Sequence, residues 1–240
     1  MNNTSWYKKY WKYLFVIILY LLYLSDFVFL FLRRNGINLN ALPKTPRIIC
    51  FALCDLVYVI VLILLFRKEI INGLKDLKKH FLERFTLSLE CWIIGCLIMT
   101  VSSLIISFIL KENVSANEQA VRDSIKLAPL YMLFTCSIIA PILEEMVFRR
   151  ALRGFIKFKW VYIVLSGVIF GLLHVTSTQF TPLHLLYIIP YGSMGCAFAY
   201  LYHKTNNITL PIIIHMIHNT ILVLAQIIGG LLWKKKINQR

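Results

Sequence analysis

Acidic residues are scarce in this chain: 11 Asp and Glu stand against 26 Lys and Arg, a formal net charge of +15. Such a balance is compatible with nucleic acid, but the basic residues cluster at the ends of apolar segments. That pattern assigns them to lipid headgroups and topology, and no nucleic-acid partner is expected. No Cys-x-x-Cys pair occurs, so neither a zinc ribbon nor a dithiol redox motif is supported. The cysteines (Cys50, Cys54, Cys91, Cys96, Cys136 and Cys196) all lie in apolar runs and read as small buried side chains. No internal repeat is strong enough to claim, which weakens a repeat-built transporter. No cleavable signal peptide is expected, because the first apolar run, flanked by Lys8, Lys9 and Lys12, is too long for one and ends in Arg33-Arg34.

What is present is apolar. Hydrophobic residues make up 59% of the 240 and mean hydropathy is +0.71, against an apolar share of about 45–50% in soluble domains. Seven runs approach the ~20 residues that a spanning helix needs: 13–32, 48–66, 87–110, 128–148, 158–175, 183–202 and 208–233. The expected fold is therefore all-α, a polytopic transmembrane bundle of about seven helices with no soluble second domain. Lys and Arg are more frequent in the connections that an N-inside orientation places inside, although Lys234-Lys235-Lys236 in the 234–240 tail points the other way. A half-spanning segment near Pro182–Gly195 would reconcile the two. Residues 67–86 mix Lys with Ile, Leu and Phe at helical spacing. They fit an interfacial amphipathic helix on an anionic leaflet, or a solvated connector. Residues 111–127 are polar and expected to be exposed.

Against that background two adjacent acids stand out in Ala140-Pro141-Ile142-Leu143-Glu144-Glu145-Met146-Val147-Phe148-Arg149. Charges in or beside hydrocarbon must be paired or face a protein-lined cavity. Glu145 and Arg149 are four apart and can pair on one helix face, while Glu144 is rotated about 100° away and stays available as a base. The bland alternative makes both acids headgroup-level surface charges. Pro141 weighs against it, since it frees a carbonyl one turn earlier, as membrane helices often do around sites. His174 ends Phe170-Gly171-Leu172-Leu173-His174, and Gly167 and Gly171 permit close helix approach. Alone it would read as an interfacial histidine. His215 and Asn219 share a face, and Asn219 can donate to an oxyanion. His215-x-x-His218 can also be read as a metal pair, without the adjacent Glu of a zincin helix. Helical rise puts Glu144 roughly 15–21 Å, His215 roughly 12–18 Å and His174 roughly 24–30 Å from the inner face. The first two match; His174 is too deep by several ångströms.

Glu-Glu-x-x-x-Arg at 144–149, Phe-x-x-x-His at 170–174 and His-x-x-x-Asn at 215–219, in that order, closely resemble the CAAX protease and bacteriocin-processing (CPBP, or Abi) family of intramembrane proteases. The resemblance covers roughly residues 115–225 and includes Asn117-Glu118-Gln119. It implies a catalytic core over 111–233, preceded at 1–110 by transmembrane helices with a basic connector. It further implies that Glu144 activates water with His174, that Arg149 positions Glu145, and that His215 and Asn219 serve the oxyanion. Zinc held by Glu144, His174 and His215 is an option within the family. The short, basic chain resembles the bacterial branch, linked to peptide or bacteriocin maturation, self-immunity and surface-protein display. That branch implies a multi-pass protein of the bacterial plasma membrane.

The first functional reading is thus an intramembrane endopeptidase acting on a peptide or membrane-protein substrate. A second is a non-catalytic scaffold for a membrane-protein partner, its polar residues holding helices together at roughly 1 kcal/mol per contact. A third is a proton-coupled transporter, to which Asp26 and Asp55 lend some support. For those two, pairing with Arg or backbone near helix ends is the plainer expectation.

Overall fold

The computed structural model describes residues 3–112, 114–175 and 181–238, the side chains of 3–7, 9 and 233–238 excepted, so that the charges of the 234–240 tail lie outside the described residues. Among the described residues every regular element is helical. The chain runs α1 (Asn3–Leu24), α2 (Phe27–Arg34), α3 (Lys44–Leu65), α4 (Arg67–Lys79), α5 (Phe81–Leu110), α6 (Ala116–Leu127). It continues through α7 (Pro129–Phe155), α8 (Lys159–Leu173), α9 (Ile188–Thr205) and α10 (Thr209–Asn238). Five segments are long and apolar enough to cross a membrane, and a sixth is added if α1 and α2 form one bent span. The remaining apolar run, 158–175, holds α8, whose 15 residues fall short of the usual span length.

Several boundaries depart from the sequence expectations. The first run is not straight: Asp26 takes a left-handed φ of 51°, and α1 meets α2 at a 62° bend. The 67–86 connector breaks at His80, so its last residues open α5 rather than extend α4. The polar 111–127 stretch contains a full helix, α6, started by Ser115, whose Oγ accepts the Glu118 N–H at 3.1 Å. Pro182–Thr205 is long enough to span on its own, so no half-spanning segment is needed.

The exposed large side chains form the lipid-facing surface, among them Leu53, Ile60 and Leu64 on α3 and Leu97, Leu104 and Phe108 on α5. Buried apolar residues instead gather around α7. Leu143, Met146 and Ala151 are fully inaccessible and share one core with Val16 and Tyr20 of α1, Tyr58 and Leu62 of α3, and Phe170 of α8. The N-terminal helices thus belong to the same packed body as the core. Helix α8 lies along α9 at backbone contact. A Cβ on Gly171 would sit 2.7 Å from the Ile188 carbonyl oxygen, and one on Gly195 2.8 Å from Gly167 Cα. Only glycine permits that approach.

Within α7 two π-helical turns, Thr135–Ile139 and Met146–Ala151, bracket the α-helical turn Ala140–Glu145. Single π turns inside α-helices are rare and recur at functional sites. Here the first has a covalent cause. Pro141 has no N–H to give and its ring would collide with a carbonyl one turn back, so the helix widens. The Ala140 N–H reaches back to Thr135 O.

Candidate active site

The two π turns leave backbone carbonyls that neighbouring helices satisfy. Pro141 offers no donor to the Cys136 carbonyl, and Asn219 Nδ2 of α10 supplies one at 2.8 Å. Around the second turn Ser166 Oγ of α8 donates to Phe148 O at 2.9 Å and Tyr162 Oη to Arg149 O at 3.4 Å. The widened helix is thereby fixed in place on both sides of Glu144 and Glu145.

Between them lies a chain of charged groups. Arg149 and Glu145 have fully buried side chains, with Arg149 Nε 2.8 Å from Glu145 Oε2. This is an ion pair by distance, although the N–H does not aim at the oxygen as a regular hydrogen bond. Three phenylalanine rings surround the guanidinium: Phe148, Phe170 and Phe198, with centroids 5.9, 5.0 and 5.6 Å away. The quadrupoles of those rings partly replace the lost hydration of the cation. Glu145 Oε1 in turn accepts from His215 Nδ1 at 2.9 Å. The other imidazole nitrogen, Nε2, faces Glu144 Oε2 at 3.8 Å, beyond direct hydrogen bonding and within reach of a bridging water. Glu144 is the more accessible acid, with 13% of its side chain exposed. The expected division between a tied acid and an available one is the arrangement observed.

His174 sits just past the end of α8, where its Nδ1 lies 2.8 Å from Phe170 O. A carbonyl only accepts, so Nδ1 carries the proton and Nε2 a lone pair. The imidazole is stacked between Phe170 and Tyr191, at centroid distances of 4.5 and 5.0 Å. Phe170 also presents its ring to His215 at 6.0 Å. His174 is thereby linked to His215 through the Phe170 ring. Tyr191, which the sequence reading did not single out, is itself fixed by Ser115 Oγ at 2.7 Å and Asn117 Nδ2 at 3.3 Å.

The remaining expected residues divide as follows. Asn219 is on the His215 face but spends one amide N–H on Cys136. His218 is not paired with His215 as a metal couple: its Nδ1 accepts from the Trp92 indole at 3.2 Å, linking α10 to α5. Asp55 does not meet an arginine; its Oδ2 accepts from Tyr131 Oη at 2.9 Å. Asp26 precedes α2 without a side-chain cap bond. Unforeseen in the sequence is Arg150, which grips Glu69 of α4 through two nitrogens and Tyr13 of α1 at 2.8 Å. Its only sequence signal is its place beside Arg149.

As a zinc site the set has suitable chemistry, because Nδ1 of both imidazoles is engaged and in the neutral rings Nε2 is left with its lone pair. Its geometry is not that of a metal centre: among the described residues no three His, Cys, Asp or Glu side chains converge at ligand spacing.

A membrane-embedded all-helical bundle with paired acids on a widened helix and histidines from two others defines a class of intramembrane enzyme, and the comparisons agree. A family model described as "Type II CAAX prenyl endopeptidase Rce1-like" matches residues 126–221. The chain is 28% identical over 245 aligned residues to "Membrane-embedded CAAX protease MroQ" of Staphylococcus aureus, covering 95% of this chain and 94% of that protein. It is 37% identical over 116 residues to "Putative membrane peptidase YdiL" of Bacillus subtilis, a stretch spanning 47% of this chain and 44% of that protein. With "UPF0177 protein YxdF" of Lactococcus lactis it shares 28% identity over 143 residues, 57% of this chain and 77% of that one. No solved structure matches. The chain is thus similar to CAAX-type membrane proteases of bacteria, and its five or six apolar spans are those of a multi-pass membrane protein.

Proposed function

We propose that the protein is an intramembrane endopeptidase in which Glu144 is the general base for water. The supporting observation is the buried relay Arg149–Glu145–His215 ending opposite Glu144. Arg149 pairs with Glu145, Glu145 accepts from His215 Nδ1, and His215 Nε2 is thereby turned towards Glu144 across a 3.8 Å gap in which the attacking water is held. Glu144 takes a proton from that water as its oxygen bonds to the substrate carbonyl carbon. The carbonyl becomes an oxyanion, then collapses as the C–N bond breaks, and Glu144 returns the proton to the leaving nitrogen. The products are a carboxylic acid and an amine, which pass one proton between them to become a carboxylate and an ammonium. His174, with Nε2 free, acts as the second acid–base group, and the unspent N–H of Asn219 supports the oxyanion. No step passes through a metal.

The substrate under this reading is a peptide or membrane-associated protein, and the family setting favours peptide maturation, self-immunity or surface display. The division into an N-terminal part at 1–110 and a core at 111–233 belongs to the same proposal. One observation favours the scaffold alternative: Asn219, Ser166 and Tyr162 all spend hydrogen-bonding capacity on interhelical backbone contacts. Cleavage of a quenched fluorescent peptide library in proteoliposomes decides between them. Glu144→Gln and His174→Ala are each expected to lower turnover by about 10²–10⁴, the usual weight of a general acid–base group. Near-native turnover in correctly inserted Glu144→Gln protein would overturn the protease reading.

A further inference from the structure

At the bend between α1 and α2 lies a cavity of about 590 Å³ that plays no part in the relay. Its lining includes the rings of Tyr23, Tyr58 and Tyr131, the carboxylates of Asp26 and Asp55, and Arg33. Asp55 is only 5% exposed. One of its oxygens accepts from the neutral Tyr131 hydroxyl. Among the described residues nothing donates to the other, and no ion pair joins Asp55 or Asp26 to Arg33 or any other cation. A carboxyl so deep in an apolar body, without a positive partner, either takes up a proton or gains from a cation brought to it. The surrounding rings suit the same visitor: Tyr23 and Tyr58 meet edge to face at 5.5 Å, and aromatic walls around a carboxylate are the general recipe for holding an ammonium group.

The cavity is tied to the active site through the helices that form it. Helix α3, which carries Asp55, packs against the Thr135–Ile139 and Ala140–Glu145 turns of α7. Tyr131 stands on α7 itself, thirteen residues before Glu144. That separation is about 20 Å along a helix, which an extended peptide covers in about six residues.

We propose that this cavity binds the ammonium or guanidinium group of a lysine or arginine side chain in the peptide substrate, about six residues from the scissile bond. Asp55 is the deep anion, Asp26 the rim anion, and the tyrosines clasp the side-chain stem. The assignment names a substrate feature and rests on the protease reading.

The test separates binding from cleavage by using full-length Glu144→Gln protein in maltoside micelles, which carry no ammonium of their own. Two labelled apolar peptides of twelve residues, identical except for one lysine or norleucine, are titrated by fluorescence anisotropy. The lysine peptide should bind at least about tenfold more tightly. The preference should fall to within about twofold in Asp55→Asn, which still accepts from Tyr131, and to shrink in Asp26→Asn, which lies on the exposed rim and leaves the core untouched. Equal affinity for both peptides, or an undiminished preference in both variants, overturns the proposal. Absence of hydrolysis by the native enzyme would instead count against Glu144 as the base, because this titration needs no turnover.

Discussion

Removing Arg149 is the sharpest physical perturbation of this site. In Arg149→Met the stem volume is largely kept, while Glu145, with a fully buried side chain, loses its cation. Breaking a buried pair from one side costs about 3–5 kcal/mol, because the survivor remains as an uncompensated charge. Loss of the three ring contacts adds to this, at up to about 2 kcal/mol for a desolvated cation–π interaction. The His215 hydrogen bond to Glu145 at 2.9 Å offsets a part. A net loss of about 3–4 kcal/mol is therefore expected, with Glu145→Gln/Arg149→Met recovering at least half of it. The assay is reversible unfolding in mixed micelles followed by helical circular dichroism, run on both single variants and the double as a cycle. A single-variant loss under about 1 kcal/mol, or a double variant no more stable than the sum of the singles predicts, would refute the buried-pair account.

Three further outcomes follow from the geometry. His215→Ala should abolish peptide cleavage while His218→Ala retains at least about a third of it, and chelator should leave the native rate unchanged; equal loss in both variants together with loss of bound zinc would return the pair to a metal role. Gly171→Ala should destabilise by about 1–3 kcal/mol, since its Cβ would meet the Ile188 carbonyl at 2.7 Å, and native-like unfolding would show that α8 and α9 can part freely. Asp76, on α4 outside the spans, is held below the ordinary carboxylate range by its hydrogen bond to Arg84 and a further bond from Asn207. Its contribution to stability is therefore complete above the unfolded value of about 3.9 and is lost as pH falls through the folded one. Melting of native and Asp76→Asn protein should differ at pH 6 and converge towards pH 3.

The parts of the site legible in the sequence are those set by helical period. Glu145 and Arg149 at four-residue spacing do pair, and Glu144 stands outside that pair, meeting the His215 ring from its other nitrogen. Span existence was legible because hydropathy over twenty residues is a bulk property. What periodicity misses is a change of period. A π turn alters the phase of everything after it, and only Pro141 hints at one. The sequence rule that a proline frees a carbonyl was sound, but which carbonyl, and that Asn219 would answer it, depends on the π register and on α10 being adjacent. The Glu69–Arg150–Tyr13 contact joins three helices far apart in sequence, so no local spacing encodes it. For Asp55 the sequence offers an arginine or polar backbone as partner, whereas Tyr131 meets it.

The histidines show how one sequence pattern yields two chemistries. His215 and His218 lie three apart on the same helix, and helical geometry puts them about 60° apart. That rotation is enough to give them different neighbours. His215 turns to α7, where Glu145 engages Nδ1; His218 turns to α5, where the Trp92 N–H donates to Nδ1. An indole donates only, so His218 Nδ1 is an acceptor and its proton sits on Nε2. A carboxylate accepts only, so His215 Nδ1 is the donor, the opposite of His218, and in the neutral ring the lone pair on Nε2 faces Glu144. The proposal of a catalytic role for His215 rather than His218 rests on what each neighbour is able to offer a ring nitrogen. Replacing Trp92 with Phe removes the donor at His218 and should leave cleavage at His215 unaltered, whereas Glu145→Gln, whose amide can either donate or accept, should lower it by tenfold or more. Equal rates in the native and Glu145→Gln enzymes would show that the tautomer of His215 does not matter to the reaction.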